Sequence, residues 1–206
     1  IKRAIDSGLK VFVNMVVSQQ NLSDIRATAK LVKEIGASGF FATKASSPCN
    51  SCNFAEHKIT PDGLSQIFED LVWINETYDI PVDSLEHYPY CSFPSKKSRK
   101  LLGGRSCSAG KSSCTIGFDG VIRPCSHSAQ KYGSIYDGLN EAWKKMNEWR
   151  TGELIPSFCK EFCSEFPGKC GGGCRVEAYT AHGSYLESDP FCKKIKSSAA
   201  RAAEEP

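Results

Sequence analysis

Eight of the chain's eleven cysteines fall between Cys107 and Cys192, as Cys107-x6-Cys114-x10-Cys125, then Cys159-x3-Cys163-x6-Cys170-x3-Cys174, and last Cys192. Disulfides tolerate almost any spacing, whereas short paired gaps closed by a distant last cysteine suit ligands converging on a metal centre. Eight thiols make two sets of four. Four thiolates are what an iron–sulfur cluster takes, one per iron. Structural zinc is the rival: its sites prefer two-residue gaps and often recruit histidine, and the gaps in this quartet are three, six and three. Gly171-Gly172-Gly173 lies directly between Cys170 and Cys174. There the missing side chains let backbone N–H groups approach an anionic cluster and donate to its sulfurs.

Composition sets outer bounds. The 206 residues are 40% hydrophobic, with no long apolar run, which gives length for one domain and a smaller second one and no membrane span. The formal net charge of +3 counts every thiol as neutral; two four-iron clusters at about −2 each bring the total to about −1. No basic patch points to nucleic acid, and the run Lys96-Lys97-Ser98-Arg99-Lys100 reads as a solvated connection. A secreted disulfide scaffold is usually much shorter, and an odd count of cysteines leaves one thiol unpaired. The chain begins at Ile1, in what reads as mid-helix, without an initiating methionine or a secretory signal. The expectation is a piece of a longer cytoplasmic protein.

Taken in order, residues 1–8 read as a helix end closed by Gly8, and the apolar run Val11 to Val17 as a parallel strand buried on both faces. From a cap at Asn21 or Ser23 a helix presents Ile25, Ala29, Val32 and Ile35 on one face, with Leu31 at its margin, and ends at Gly36. Gly39 to Thr43 is a second strand, so the order is β, α, β. Thr60-Pro61 starts another helix, with Leu64, Ile67, Phe68, Leu71 and Tyr78 as its buried stripe. Pro81 to Leu85 is a further strand or the lead into a linker. Farther on, Cys114 to Phe118 and Val121 to Arg123 flank Asp119-Gly120, a hairpin turn signal that sets Cys114 and Cys125 near the open end. A helix carrying Leu139, Trp143 and Met146 follows, its spacing that of core packing; Trp143 and Trp149 read as structural.

These residues resemble a known family. Cys107-Ser-Ala-Gly110, Phe118-Asp-Gly-Val-Ile-Arg-Pro-Cys125, Cys170-Gly-Gly-Gly-Cys-Arg175 and Asp189-Pro-Phe-Cys192 look like the SPASM domain that follows the barrel in a class of radical S-adenosylmethionine (SAM) enzymes. The likeness covers roughly residues 105 to 193. The family usually has two and five residues in the first two quartet gaps, so three and six are a departure. Ahead of it, Gly8 to Val17, Asn21 and the helix ending Glu34-Ile-Gly36 have the look of the end of the barrel.

The resemblance implies an α/β fold: the last β/α units of a partial (β/α)6 barrel in residues 1–90, a linker in 91–104, a small cysteine-rich α+β SPASM domain with a β-hairpin in 105–195, and a tail in 196–206. Carried over position by position, one auxiliary [4Fe-4S] cluster would sit on Cys107, Cys114, Cys125 and Cys174, a second on Cys159, Cys163, Cys170 and Cys192. A full set of four thiolates suits an electron conduit, whereas some relatives leave the corner matching Cys114 open. The Cys-x3-Cys-x2-Cys triad that holds the SAM-cleaving cluster of the family is absent, and Cys49-x2-Cys52 is not that triad, because position 45 is Ala45. By itself this chain is not expected to make radicals.

In sulfatase-maturing relatives an aspartate follows the cysteine matching Cys125 and serves as base; here Ser126 and His127 follow, which argues against that chemistry and leaves His127 as a polar loop residue or a proton carrier. His57, His87 and His182 carry no pattern. Cys49 and Cys52 read as two free thiols, a redox pair, a ligand pair borrowing Cys91, or part of a substrate-handling loop, and Cys91 as a linker thiol or a substitute cluster ligand. The implied function is the C-terminal part of a peptide- or protein-modifying enzyme, with thioether or carbon–carbon crosslinking the commonest chemistry of such relatives. SAM and a third [4Fe-4S] cluster belong to the missing N-terminal part, and the implied partners are a peptide or protein substrate and an electron donor such as flavodoxin or ferredoxin. An electron-transfer or binding module without catalysis, and a zinc-stapled structural domain, are the alternatives from other classes.

Overall fold

The computed structural model describes residues 1–47 and 54–194. By contacts between residues it divides into two compact units whose border falls between Arg105 and Ser106. Among the described residues no helix is long and apolar enough to cross a membrane.

The first unit is an α/β layer. After the short helix α1 (Lys2–Asp6), the strands β1 (Phe12–Val17), β2 (Gly39–Lys44) and β3 (Val82–Asp83) form a parallel sheet in the order β1-β2-β3. Phe12 pairs with Gly39 and Val17 with Lys44, and Phe40 pairs with Val82. Two helices supply the other layer: α2 (Ile25–Glu34) buries Ile25, Ala29 and Val32, and α3 (Pro61–Tyr78) buries Leu64, Ile67, Phe68, Leu71 and Ile74. Thr60 caps α3 by accepting from the Gly63 N–H at 3.1 Å, with Pro61 in the first turn, where its missing N–H costs nothing. Asn21 does not cap α2 directly. It precedes a 3-10 turn, Leu22–Asp24, and its amide donates to the Val16 carbonyl, tying the turn back to β1.

Two expectations about burial change. The run Val11 to Val17 is not buried on both faces: Phe12, Asn14 and Val16 are exposed while Val17 is buried, because side chains alternate along a strand and only one face meets the helices. Tyr78 is half-buried rather than part of the stripe, which Ile74 completes one turn earlier. The basic run, read as a solvated connection, forms a helix, α4 (Lys96–Leu102), on which Lys96, Lys97 and Lys100 are exposed. Ser95 and Ser98 cap each other reciprocally at its start, and Ser98 and Leu102 turn inward as α4 packs on α3.

Burial carries a polar network at the ends of β2 and β3. Lys44, 3% exposed, pairs with Glu86 at 3.2 Å, Ser46 donates to the same carboxylate, and the Tyr88 hydroxyl meets Ser84 Oγ at 2.9 Å. Burial, then the Glu86 charge, raises the Tyr88 phenol well above its ordinary pKa.

The second unit holds a small antiparallel sheet of β4 (Thr115–Ile116), β5 (Val121–Arg123) and β6 (Gly133–Ser134), followed by helices α5 (Leu139–Lys145), α6 (Asn147–Thr151), α7 (Ser157–Phe162) and α8 (Arg175–His182). The hairpin forms where Asp119-Gly120 announced it: Gly117 and Val121 pair through the Gly117 N–H, and Gly120 takes a φ of 75°. The Asp119 carboxylate accepts from the Val121 N–H, which lowers its pKa, with Arg123 adding to the effect. The third strand, β6, is an addition that the sequence pattern did not announce. The buried stripe of α5 and α6 is Ala142, Met146 and Trp149, whereas Leu139 is exposed and Trp143 half-buried. Of the residues that the sequence pattern put on this stripe, Met146 is buried and Trp143 packs against the same core, while Leu139 is not buried.

Candidate metal centre

The core of the second unit is where the cysteines gather. Ala109, Ile122, Tyr132, Ala142, Met146, Trp149 and Val176 form one buried cluster, and Cys107, Cys114, Cys125 and Cys174 all pack against it. Each arrives on a different local device. A tight turn, in which the Lys111, Ser112 and Ser113 N–H groups all donate to the Ser108 carbonyl, returns the chain from Cys107 to Cys114. Gly110, at a φ of 63°, is pressed against Trp149 there; a Cβ on it would lie 2.6 Å from the Trp149 Cβ. The hairpin register, Thr115 with Arg123, leaves Cys114 and Cys125 at the same open end. Cys174 sits at the N-terminal boundary of α8.

Cys159, Cys163, Cys170 and Cys192 lie in the following segment. Cys159 is buried on α7, Cys163 ends that helix, and Cys170 is buried after a turn in which its N–H donates to the Glu165 carbonyl at 2.9 Å. Cys192 closes a turn by donating its N–H to the Asp189 carbonyl, also at 2.9 Å. No disulfide joins any two of the nine described cysteines. Among the described residues no three Cys, His, Asp or Glu side chains form a group that could hold a single metal ion. A four-iron cluster places one thiolate on each of four irons and so spreads its ligands over more space than one tetrahedral ion does.

Two buried charged residues tie the chain around Cys174 to more distant segments, and the sequence pattern assigned neither a role. Asp189, 3% exposed, accepts from the Cys174 N–H at 2.7 Å and from the Phe191 N–H at 2.8 Å, so one carboxylate pins Cys174 to the segment that ends in Cys192. Arg175, 6% exposed, donates from Nη1 to the carbonyls of Leu154, Tyr185 and Glu187 and from Nη2 to that of Gly172. Burial lowers the Arg175 pKa, opposed first by the Asp189 charge and then by the thiols of Cys174, Cys159 and Cys107. A charged pair inside the motifs Cys-Arg and Asp-Pro-Phe-Cys was the available signal: Asp and Arg are rarely buried unless partnered.

The glycine run has a steric reason besides close backbone approach. Gly172 and Gly173 adopt φ values of 87° and 78°, the left-handed region, and a Cβ on Gly173 would lie 2.6 Å from the Asp189 Cβ. On the other side of the core, Trp149 Nε1 donates to the Tyr132 hydroxyl at 2.6 Å, which donates to Glu148 at 2.6 Å. Burial, then the Glu148 bond, pushes the Tyr132 phenol far above its ordinary value. His127 is exposed, with Nδ1 3.3 Å from Ser126 Oγ. Cys91 is a half-buried thiol in a 3-10 turn of the first unit, and Cys49 and Cys52 lie outside the described residues.

No protein-family model matches the chain. Among curated proteins it is similar to the AdoMet-dependent heme synthase of Nitratidesulfovibrio vulgaris, 22% identical over 91% of this chain and 54% of that protein. It is likewise similar to that of Methanosarcina barkeri, 25% identical over 87% of this chain and 55% of that protein. The chain thus spans about half the length of the curated relatives it matches. Its fold is similar to Streptococcus suis SuiB, solved with S-adenosylmethionine bound, at a TM-score of 0.64 and 17% identity, over 93% of this chain and 47% of that one.

Proposed function

We propose that this chain, which is of radical SAM/SPASM type, is the C-terminal part of an enzyme that modifies a peptide or protein side chain, and that it holds two auxiliary [4Fe-4S] clusters. In this reading the parallel layer ending near residue 90 is the close of the partial barrel, and the second unit is the SPASM domain. The SAM-cleaving triad with its own [4Fe-4S] cluster belongs to the remainder of the protein, which works in the cytoplasm with an electron donor such as flavodoxin or ferredoxin.

The observation that carries the reading is the gathering of Cys107, Cys114, Cys125 and Cys174 against one core, although 67 residues of sequence number separate the first from the last. The residues fit such a group in kind: thiols that form no disulfide with one another, the glycines Gly172 and Gly173 between two of them, and the buried guanidinium of Arg175 next to Cys174. Cys159, Cys163, Cys170 and Cys192 would hold the second cluster. When bound, such clusters supply one-electron transfer. The chain's own part is to keep eight thiolates at fixed corners, exclude water behind Trp149 and Met146, and hold the two ligand segments together through Asp189.

A second substrate reading has its own support. The curated relatives are heme synthases by name, which favours a tetrapyrrole precursor of heme over a peptide. Metal content tests the common premise. After anaerobic purification the chain is expected to carry about eight irons and eight sulfides, roughly halved in the double variant Cys159→Ala, Cys170→Ala. Two zincs with no sulfide would sink the cluster reading and leave a zinc-stapled domain; a full iron count in a gene lacking any upstream triad would leave an electron-transfer module.

A further inference from the structure

Arg175 has one polar atom left over. Its two terminal nitrogens reach four backbone carbonyls, while Nε is buried without a hydrogen-bond partner. Leaving a buried N–H of a charged group unpaired is costly, more so than for a neutral one. The carbonyl clamp also prevents the side chain from turning to find another partner. Three of its acceptors lie beside the cysteines: Gly172 stands between Cys170 and Cys174, and Leu154 and Tyr185 pack on the same core as Cys107, Cys114, Cys125 and Cys174. Arg175 follows Cys174 directly, and thiols of both sets, Cys174 and Cys107 from one and Cys159 from the other, act on its charge.

We propose that Arg175 is a cation shared by the two cluster sites, with its Nε–H held ready as a donor to a sulfur of the cluster on Cys107, Cys114, Cys125 and Cys174, and that it sets the reduction potential of that cluster. The inference rests on the cluster reading above. A fixed positive charge favours the reduced cluster, which carries one more negative charge, and an N–H donated to a cluster sulfur acts in the same direction. Cys159, from the other set, also acts on this charge, so the same fixed cation raises the potential of the second cluster as well.

The test uses the anaerobically purified, iron-loaded chain and its Arg175→Gln and Arg175→Lys variants, followed by EPR during redox titration. At the wild-type midpoint, Arg175→Gln is expected to lower the reduced-to-oxidised ratio of the first cluster about tenfold, a 59 mV fall for a one-electron couple, and Arg175→Lys to lower it less. Wild-type protein grown with guanidino-15N arginine is expected to show a 15N coupling to the reduced cluster in pulsed EPR. An unshifted ratio at full iron content, or no 15N coupling, overturns the assignment of Arg175. Should the variants lose iron, the 15N measurement on the wild type decides alone. Wild-type protein without iron and sulfide overturns the cluster reading, and this inference with it.

Discussion

Gly173→Ala is expected to cost the second unit about 2–5 kcal/mol. Two effects add. A side chain in the left-handed region costs about 1–2 kcal/mol, and Gly173 sits there at a φ of 78°. Forcing extra volume into a packed site costs about 1–3 kcal/mol, and the new methyl would lie 2.6 Å from Asp189 Cβ and 2.7 Å from Oδ2. Asp189 cannot step aside cheaply, since its two oxygens hold the Cys174 and Phe191 N–H groups. The same displacement would loosen Cys174 and Cys192 together. Iron content should therefore fall with the denaturation midpoint, and in the same variant. Gly168→Ala is the control, with open space at its Cβ and an expected change within about 0.5 kcal/mol. Equal midpoints for the two variants would mean that the Asp189 staple does not hold the loop.

Phe68→Ala should damage the first unit by a different route. Phe68 is fully buried on α3, with ring centroids 5.1 Å from Tyr88 in an edge contact and 4.5 Å from Phe93. Removing a buried phenyl ring forfeits its transfer free energy and leaves a cavity, at about 3–5 kcal/mol. For a unit of this size that corresponds to a fall of roughly 15–30 °C in the first thermal transition. The loss also reaches the polar network, because Tyr88 would lose the ring that holds its hydroxyl against Ser84. Phe118→Ala is the matched control: Phe118 lies on the hairpin tip, fully exposed, and should change stability by less than about 0.5 kcal/mol. A loss below 1 kcal/mol at Phe68, by circular dichroism melting, would show that the aromatic contacts are not a core.

Much was legible before any coordinates. Thr60 and Pro61 marked the start of α3, and the periodic Leu64, Ile67, Phe68 and Leu71 marked its buried face, because capping and amphipathicity are local. Asp119-Gly120 marked the hairpin for the same reason. The family resemblance, not the spacing, grouped the thiols into two sets of four; the structure packs Cys107, Cys114, Cys125 and Cys174 against one core. The stripe at Leu139, Trp143 and Met146 holds in part: Met146 is buried and Trp143 packs against the core, whereas Leu139 is exposed at the first turn of its helix. The exposed face of β1 was misread: an apolar run does not say how many of its faces are covered.

By itself, then, the sequence determined the local elements and the inventory of thiols, both consequences of chemistry within a few residues. Only the tertiary structure decided that Arg175 and Asp189 are buried, with Asp189 hydrogen-bonded to the Cys174 N–H. Their partners are the Gly172, Leu154, Tyr185 and Glu187 carbonyls and the Cys174 and Phe191 N–H groups, brought together by long-range folding. Burying a charge is tolerable only where the whole fold supplies such partners at once, and no run of residues encodes that in advance.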